Sequence, residues 1–461
     1  MCGLVAAAGV LDVRAGLDAI GHRGPDSRGI ETVAGVTLGH VRLAVQDVTE
    51  ASAQPFRYGP ITLAYTGELF NAEAVRALLP GPWSTSGDTE VVAAALAGLE
   101  AGEALRRLDG MFALAWTDDR EPGYLFLARD RAGEIPLHLA GGAGRPVLAV
   151  SEIKAARALG YRAVRDVEAG SWQRVSTAGE ILSARFHDLR ARPAALELDV
   201  AAGLLAGHLE TAVDRRAVAD VPICTLLSGG IDSAVIALEL TRHVPDLVCY
   251  TARLDPRSRD LRCARETADM IGAKLIEVDV QPPTADDLAG VIAQIEMPFK
   301  AQVEIGWACL QLARAMRSDG FTVTYSGEGS DELWASYGFA YHGLQKQDWH
   351  TYRRDLILDQ QRKNFPRVNK AFMASSIEAR LPFLDPDVVD FALSLPREAV
   401  QDGKAKPKAV LQRAYAGRLP ESVTSRPKVA FQDGLGLKAN IAATLAEPQR
   451  FYRTEFARVY G

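Results

Sequence analysis

Val221–Ser233 reads VPICTLLSGGIDS, and this stretch decides how the chain around it folds. Val221–Leu227 is a short apolar run, which is typical of a strand buried on both faces. A glycine turn follows, and an apolar segment with helical spacing begins at Asp232. Because a strand that enters a glycine turn at a helix N-terminus directs N–H groups and the helix dipole at a ligand, the stretch predicts an anion site.

The hydroxyl and carboxylate side chains of this loop indicate that the anion is a nucleotide phosphate. Ser228 and Ser233 supply donors for phosphate oxygens, and Asp232 can hold Mg²⁺. The spacing is not the Walker pattern. A Gly-Gly turn taken alone could simply join the strand to the helix. The pattern Ser-Gly-Gly-x-Asp-Ser resembles the pyrophosphate loop of the ATP pyrophosphatases. That resemblance implies ATP binding by Leu227, Ser228, Gly229, Gly230, Asp232 and Ser233.

Strands alternate with helices after this loop, which predicts a doubly wound parallel sheet. Leu247–Ala252, Lys274–Val280 and Phe321–Tyr325 read as strands. A second glycine loop, Ser326–Glu332, follows the last of them. Ligands of such sheets bind at the carboxyl ends of the strands, so we expect Asp331 to join Asp232 as a second oxygen ligand for magnesium. Ser326 and Gly327 of this loop are predicted to contact ATP.

The composition excludes several classes of protein. The chain has 461 residues, 48% of them hydrophobic and 24% charged, and its net charge is −6. Two or three domains are expected at this length. The weakly negative charge indicates that the partners are small-molecule substrates rather than nucleic acid or a membrane. Assembly of the chain into a homodimer remains an open alternative. The five cysteines are dispersed, no apolar run approaches about 20 residues, and no signal segment is found. These three features predict a cytoplasmic protein.

The N-terminus carries the parts of a glutamine-hydrolysing site. Removal of Met1 would leave Cys2 with an α-amino group, which titrates near pH 8 and can serve as the base for the thiol. Arg42 can pair an α-carboxylate, Asp88 can take an α-ammonium, and the N–H of Gly67 can stabilise an oxyanion. Judged by its position alone, Cys2 would be interpreted as one more small apolar residue at the chain terminus, without a catalytic role.

These motifs resemble the glutaminase domain of the class II, N-terminal-nucleophile (Ntn) amidotransferases. The resemblance extends through LDGMFALAWTD (Leu108–Asp118), LARDRAGEIPL (Leu127–Leu137) and SEIKA (Ser151–Ala155). It implies an αββα sandwich over 1–190, with Cys2 as nucleophile, Arg42 on the glutamine carboxylate, and Glu68 and Asp88 at its amino end. The family has Asn where this chain has Thr66, so the oxyanion contact is expected to be weaker or rearranged, and Gly87 replaces a frequent Ser.

The two glycine loops resemble the synthetase domain of the asparagine synthetases. SIEARLPFLD (Ser376–Asp385) and RPKVAFQDGLG (Arg426–Gly436) extend the resemblance, which implies a second domain over 200–461. It places Lys428 near the reacting phosphate. Glutamate, present here as Glu328, is the residue found at this loop position in asparagine synthetases, whereas the β-lactam-forming relatives carry tyrosine there.

The sequence thus predicts an ATP- and Mg²⁺-dependent amidotransferase. Glutamine would be hydrolysed at Cys2, and the ammonia would attack an acyl-adenylate of an acceptor carboxylic acid, releasing AMP after pyrophosphate. Ala335 and Ser336 replace two glycines common in asparagine synthetases, which favours an acceptor from a specialised pathway over aspartate. A genuine asparagine synthetase, an intramolecular amide-forming cyclase and a non-catalytic regulatory descendant remain as alternatives.

Overall fold

The computed structural model describes residues 1–142, 144–337, 343–402, 407–426 and 436–461, which form two compact units. The first unit comprises Met1–Asp188 together with Met373–Ser376 and Phe456–Gly461. The second comprises Leu189–Phe372 and Ile377–Glu455. Two short segments from the C-terminal half therefore belong to the first unit, which the sequence-based division into 1–190 and 200–461 did not include.

Within the described residues, the first unit contains two six-stranded antiparallel sheets. Its strands are β1 (Gly3–Ala8), β2 (Ser27–Val33), β3 (Val36–Arg42), β4 (Phe56–Tyr58), β5 (Ile61–Leu69), β6 (Gly110–Asp118), β7 (Tyr124–Arg129), β8 (His138–Gly142), β9 (Arg145–Val150), β10 (Val164–Asp166), β11 (Ser171–Ser176) and β12 (Ile181–Arg185). One sheet has the order β10-β8-β9-β1-β3-β2, and the other has the order β12-β11-β7-β6-β5-β4. β1 and β3 of the first sheet pack on β5 of the second.

Helices cover the outer faces of both sheets. They are α1 (Arg14–Ala19), α2 (Ala72–Arg76), α3 (Asp88–Gly98), α4 (Ala101–Arg107) and α5 (Ile153–Ala158), with short 3₁₀ turns at Gly21–Arg23 and Glu50–Ser52. α3 packs on β4 and β5, while α1 and α5 pack on each other and on the opposite sheet. Apolar side chains of α3 such as Val91 meet Leu63 of β5 in a fully buried cluster. The αββα sandwich predicted for this part of the chain is confirmed.

The second unit contains short parallel strands with helices between them. The strands are β13 (Cys224–Leu226), β14 (Val248–Arg253), β15 (Lys274–Asp279), β16 (Val323–Tyr325) and β17 (Glu378–Arg380). Among the described residues, the helices that follow are α6 (Leu198–Arg216), α7 (Ile231–Leu240), α8 (Arg259–Ile271), α9 (Ala285–Ile295), α10 (Lys300–Ser318), α11 (Ser330–Trp334), α12 (Trp349–Gln360), α13 (Asn364–Met373), α14 (Pro386–Ser394), α15 (Arg397–Val400), α16 (Ala409–Ala414), α17 (Glu421–Thr424), α18 (Leu437–Thr444) and α19 (Pro448–Tyr460), with a 3₁₀ turn at Pro382–Leu384. No helix in the described part of the chain is long and apolar enough to cross a bilayer.

The order of the strands places both glycine loops at one point of the sheet. β13 pairs with β14, and β14 pairs with β15, all parallel. On the other side, a parallel bridge between Ile223 and Val323 joins β13 to β16, which pairs with β17. The chain therefore winds outward in both directions from the β13–β16 neighbours, as a doubly wound sheet does. Ligands of such sheets bind where the order reverses, beyond the carboxyl ends of these two strands.

Candidate active sites

Cys2 is buried just before β1, and hydrogen bonds to its main chain hold it there. Its carbonyl oxygen accepts hydrogen bonds from Thr66 Oγ1 at 2.6 Å and from Arg23 Nε at 2.9 Å. Its N–H donates to Thr66 Oγ1 at 3.2 Å, and its Sγ lies 3.7 Å from the carbonyl oxygen of Leu43. Both polar groups of the Cys2 backbone are thus hydrogen-bonded, which fixes the main chain from which the thiol projects.

The thiol of Cys2 is protonated at neutral pH in this environment. Burial raises its pKa to about 11; the charge of Glu68 also raises the pKa, while the positive N-terminus and Arg42 lower it. A thiol in this state needs a base before it can attack. Removal of Met1 would leave the amine on the nitrogen that already faces Thr66 Oγ1.

Arg42, at the end of β3, holds the loop that follows it. Nη1 donates to the carbonyl oxygen of Thr49 at 2.7 Å, and Nη2 donates to the carbonyl oxygens of Gln46 (3.4 Å) and Asp47. These contacts use three of the five guanidinium N–H groups. The other two have no partner among the described residues, which leaves donors for a substrate carboxylate.

Glu68 and Asp88 are both buried beside this loop. Gln46 Nε2 donates to Glu68 Oε2 at 2.6 Å. Tyr65 Oη and the N–H of Leu69 donate to Asp88 Oδ2 at 2.8 and 2.9 Å. Arg42 and Glu68 both bind Gln46, and Cys2 Sγ lies against the carbonyl oxygen of Leu43, which follows Arg42. The structure therefore brings Cys2, Arg42 and Glu68 together.

Gly67 occupies a position that excludes a side chain, and Gly87 occupies one with little room for it. Gly67 in β5 has φ +149°, and a Cβ there would lie 2.0 Å from the carbonyl oxygen of Met111. A Cβ on Gly87, just before α3, would lie 2.9 Å from Ser52 Oγ and 3.2 Å from Asp47 Cβ. A serine at position 87, which is frequent in the family that the sequence resembles, would require Ser52 and Asp47 to shift.

A buried ion cluster behind Cys2 was missed by the sequence analysis. Glu152 accepts Arg23 Nη1 at 2.8 Å and Lys154 Nζ at 2.5 Å, and His22 Nε2 lies 3.2 Å away. Burial opposes ionisation, yet Lys154, His22 and Arg23 hold the pKa of Glu152 well below its ordinary value. Because Arg23 also binds the Cys2 carbonyl, the cluster links the main chain at Cys2 to the Ser151–Ala155 motif.

We expect Thr66→Val to lower the rate of glutamine hydrolysis by roughly 5- to 100-fold. The isosteric valine removes both hydrogen bonds to the Cys2 main chain and leaves the buried Cys2 N–H unpaired, while the Cys2 carbonyl keeps its bond from Arg23; the cost is about 1–3 kcal/mol. Steady-state glutamate release measures the effect, with Thr66→Ser, which keeps the hydroxyl, as the matched control. An equal rate in the valine and serine variants would contradict a role for the hydroxyl.

His40 makes the first unit sensitive to acid. Its side chain is fully buried and its Nε2 lies 2.9 Å from the carbonyl oxygen of Tyr65, and burial lowers the pKa of His40 to about 3. Between pH 6.5 and 3 the unfolded chain binds a proton that the folded chain does not. Stability is therefore lost as pH falls, by about 1.4 kcal/mol per unit. Hydrogen exchange of β3 amides at pH 7 and 5 should show this loss, and His40→Gln, which keeps the donor, should reduce it. An equal acid sensitivity in both proteins would contradict the assignment.

The first glycine loop joins β13 to α7. Ser228 N–H donates to Ser233 Oγ at 3.0 Å, and the two hydroxyl oxygens are 3.0 Å apart. Gly229 has φ +76°, and a Cβ there would lie 2.0 Å from the carbonyl oxygen of Asp260. Arg426 fixes the turn, because its Nη1 donates to the Gly229 carbonyl at 3.1 Å and its Nη2 pairs with Asp260. No side chain of the described residues caps α7, so its first N–H groups can face an anion.

The second glycine loop packs directly on the first. A Cβ on Gly327 would lie 2.8 Å from Asp232 Cβ and 3.0 Å from Ser233 N. Ser330 Oγ donates to Asp232 Oδ1 at 2.6 Å. Leu227 N–H donates to the Tyr250 carbonyl at 2.8 Å, which ties the start of the first loop to the sheet. The predicted ATP residues of the two loops therefore lie together.

A lysine that the sequence analysis did not single out lies between the two predicted magnesium ligands. Lys408 Nζ is 2.6 Å from Asp232 Oδ2 and 2.6 Å from Asp331 Oδ1, and the lysine side chain is buried. It sits just before α16, far along the chain from both aspartates. A lysine in a charged, proline-containing segment has no local feature that marks it as buried, so the sequence held no usable signal.

The donor set at this point fits a magnesium ion that arrives with a nucleotide. Two carboxylates are hard oxygen ligands, and Mg²⁺ in nucleotide sites takes one or two of them together with phosphate oxygens and waters. In the described part of the chain, no group of three or more His, Cys, Asp or Glu side chains is placed to hold a metal ion. Lys408 would have to yield the carboxylate oxygens to the ion.

Glu328, in the second loop, is held by a buried arginine. Arg367 Nη2 pairs with Glu328 Oε1, and the Glu328 side chain keeps a quarter of its surface exposed. The neighbouring Glu332 is fully buried, and burial together with the charges of Glu328 and Asp331 raises its pKa to about 7. Lys428, the last predicted site residue, lies outside the described residues, so its placement stays a prediction.

Comparison with known proteins adds to this geometry. Residues 1–186 match the family model described as a glutamine amidotransferase domain, and residues 204–367 and 348–450 match the asparagine synthase model. Asparagine synthetase B (glutamine-hydrolysing) of Escherichia coli K12 is 31% identical over 435 residues, covering 90% of this chain and 77% of that protein. Asparagine synthetase 3 of Arabidopsis thaliana is 30% identical over 473 residues, covering 95% and 79%.

These matches define the class first: an ATP-dependent carbon–nitrogen ligase that takes its nitrogen from glutamine. More particularly, the chain belongs to the asparagine synthase family, as a member with an N-terminal glutamine amidotransferase domain.

Proposed function

We propose that this chain amidates a carboxylic acid, which it activates with ATP as an acyl-adenylate, using ammonia released from glutamine. One observation carries the proposal. Asp232 and Asp331, from loops that follow two neighbouring parallel strands, converge within 2.6 Å of a single buried ammonium, Lys408. Paired carboxylates and a lysine beside an uncapped helix N-terminus are the parts that bind and polarise a triphosphate.

In the first unit, Cys2 would act as the nucleophile. Its Sγ attacks the side-chain carbonyl carbon of glutamine, the C–N bond breaks as ammonia leaves, and water hydrolyses the thioester to glutamate. The amine of Cys2 takes the thiol proton and passes it to the leaving nitrogen. Arg42 would bind the substrate carboxylate, and Glu68 and Asp88 its ammonium. Gly67 N–H would face the oxyanion. Thr66 could join it only by leaving the Cys2 main chain.

In the second unit, an acceptor carboxylate oxygen would attack the α-phosphorus of ATP, and pyrophosphate would leave. The loop N–H groups, Ser228, Ser233, Ser326 and Lys408 would hold the phosphates, and Lys428 would lie near the reacting phosphate. Mg²⁺, held by Asp232 and Asp331, would neutralise phosphate charge. Ammonia then attacks the acyl carbon and AMP leaves, while the oxygen of Glu328 that Arg367 does not hold accepts the released proton.

Two acceptors are distinguished by different observations. Aspartate is favoured by the names of the relatives. A larger acid from a specialised pathway is favoured by Ser336, whose Oγ donates to Asp331 Oδ1 at 2.6 Å where the family commonly has glycine. Ala335 has φ +49°, a conformation that favours glycine, and its buried methyl group joins a cluster with Tyr352 and Leu356. The substitution at 336 thus acts on the proposed metal ligand, and we favour the larger acid.

An ATP–pyrophosphate exchange screen over carboxylic acids, aspartate included, tests the function, with glutamate and AMP measured in parallel. We expect exchange with a non-aspartate acid and glutamate formed in step with AMP. Asparagine formation at a kcat/KM of about 10⁴ M⁻¹s⁻¹ or more would identify aspartate instead. AMP formation without glutamate would indicate a cyclase, and no exchange with any acid would favour a regulatory protein and refute the proposal.

A further inference from the structure

A chain of buried side-chain hydrogen bonds begins at the arginine that holds Glu328. Arg367 Nε donates to Gln302 Oε1 at 2.9 Å, and Gln302 Nε2 donates to Asn364 Oδ1 at 2.8 Å. Asn364 Nδ2 then donates to Glu332 Oε1 at 2.9 Å. We name these four residues the amide chain. They come from α10, α11 and α13, so the amide chain joins three helices of the second unit.

Every bond in the amide chain points the same way. The guanidinium can only donate, so Gln302 must present its oxygen to Arg367 and its nitrogen to Asn364, and Asn364 must do likewise toward Glu332. The aligned amide dipoles run from a cation to a carboxyl group, and such chains strengthen each member in a low-dielectric interior. A reversal at one amide would place two donors or two acceptors face to face.

The far end of the amide chain is anchored by Tyr337. Its hydroxyl donates to Glu332 Oε1 and accepts from Asn364 Nδ2 at 3.0 Å. All four members of the chain are at most 9% exposed, whereas the Glu328 side chain is 25% exposed. The four members of the amide chain are therefore interior, whereas the Glu328 carboxylate that Arg367 binds is partly exposed to solvent.

We propose that Gln302, Asn364 and Glu332 are positioning residues, which aim Arg367 and so fix the Glu328 carboxylate for the step in which ammonia attacks the activated acid. Arg367 is buried and its Nη1 lies 3.5 Å from Cys309 Sγ, and the bond from Nε to Gln302 orients the guanidinium plane toward Glu328. This inference rests on the proposed function for the role of Glu328, but the geometry of the amide chain does not depend on it.

The first test separates the two half-reactions in the full-length protein. Asn364→Leu and Asn364→Asp both remove the donors to Glu332, and each should lower kcat for ammonia-dependent amide formation by roughly 10- to 100-fold. ATP–pyrophosphate exchange and KM for ATP should stay within about threefold. Glu332→Gln keeps the accepting oxygen and should restore most of the rate that Glu332→Leu loses. Gln360→Leu, a nearly buried amide outside the amide chain, is the matched control.

An equal loss in exchange and amide formation, or no loss in either, would overturn the proposal. A second measurement does not need activity. In protein labelled with ¹⁵N at arginine Nε, the Arg367 signal is assigned by its absence in Arg367→Lys. Asn364→Leu should shift that signal and speed its hydrogen exchange, while Glu332→Gln and Gln360→Leu should not. If the Arg367 signal does not move in Asn364→Leu, the proposed role of the amide chain is wrong. If the wild type shows no ATP–pyrophosphate exchange, only the proposed function is wrong.

Discussion

Cys2→Ala is expected to lose glutamine-dependent amide formation by at least about 10⁴-fold while ammonium salts still support the reaction. Removing a catalytic nucleophile costs this much or more because no other group forms the covalent intermediate. The main-chain bonds of Cys2 to Thr66 and Arg23 do not involve the sulfur, so alanine should preserve them. Amide product is measured with glutamine or with ammonium chloride as nitrogen source.

Cys249→Ala is the matched control for the loss of a buried thiol. Cys249 lies in β14 of the other unit and is fully buried. That variant should keep both activities, apart from any loss of stability through the smaller side chain. Failure of Cys2→Ala with ammonium salts as well, in a protein shown to be folded, would mean that the two chemistries do not reside in separate sites.

The second large effect is expected at the ammonium between the two loops. Lys408→Met should lower ATP–pyrophosphate exchange by roughly 10²–10³-fold, because the change removes a preorganised charge from a buried site. Asp232→Asn and Asp331→Asn should have losses of similar size. Methionine nearly matches the lysine in length, so the loss reports charge rather than volume. Glutamine hydrolysis at Cys2 should survive in all three variants.

Lys363→Met provides the control for a lysine that is paired in a different setting. Lys363 Nζ lies 2.6 Å from Asp359 Oδ2, four residues earlier on an exposed surface, where an ion pair contributes little. Its exchange rate should equal that of the wild type. A wild-type rate in Lys408→Met would show that the phosphates bind elsewhere, and a joint loss of glutamine hydrolysis would point to general unfolding.

Local sequence patterns determined the secondary structure around the two glycine loops. The apolar run predicted as a strand over 221–227 forms β13 at Cys224–Leu226, and the run over 321–325 forms β16 at Val323–Tyr325. The apolar segment with helical spacing predicted to begin at Asp232 forms α7 at Ile231–Leu240. Strand and helix periods are repeated at short range, so the sequence suffices to find them and to place a glycine loop after each strand. Alternation of strands and helices then restricts the sheet to a doubly wound form.

The contents of the sites depended on contacts that no local pattern encodes. Lys408 pairs with Asp232 across 176 positions of the chain, and the Thr66 hydroxyl reaches the Cys2 main chain across 64. Whether a lysine is solvated or buried against carboxylates, and which partner a hydroxyl chooses, is decided by what surrounds it after packing. Sequence alone therefore determined the class of chemistry and the loops that carry it. Only the tertiary structure decided which side chain neutralises the two aspartates, because that choice follows from burial and charge in the folded interior.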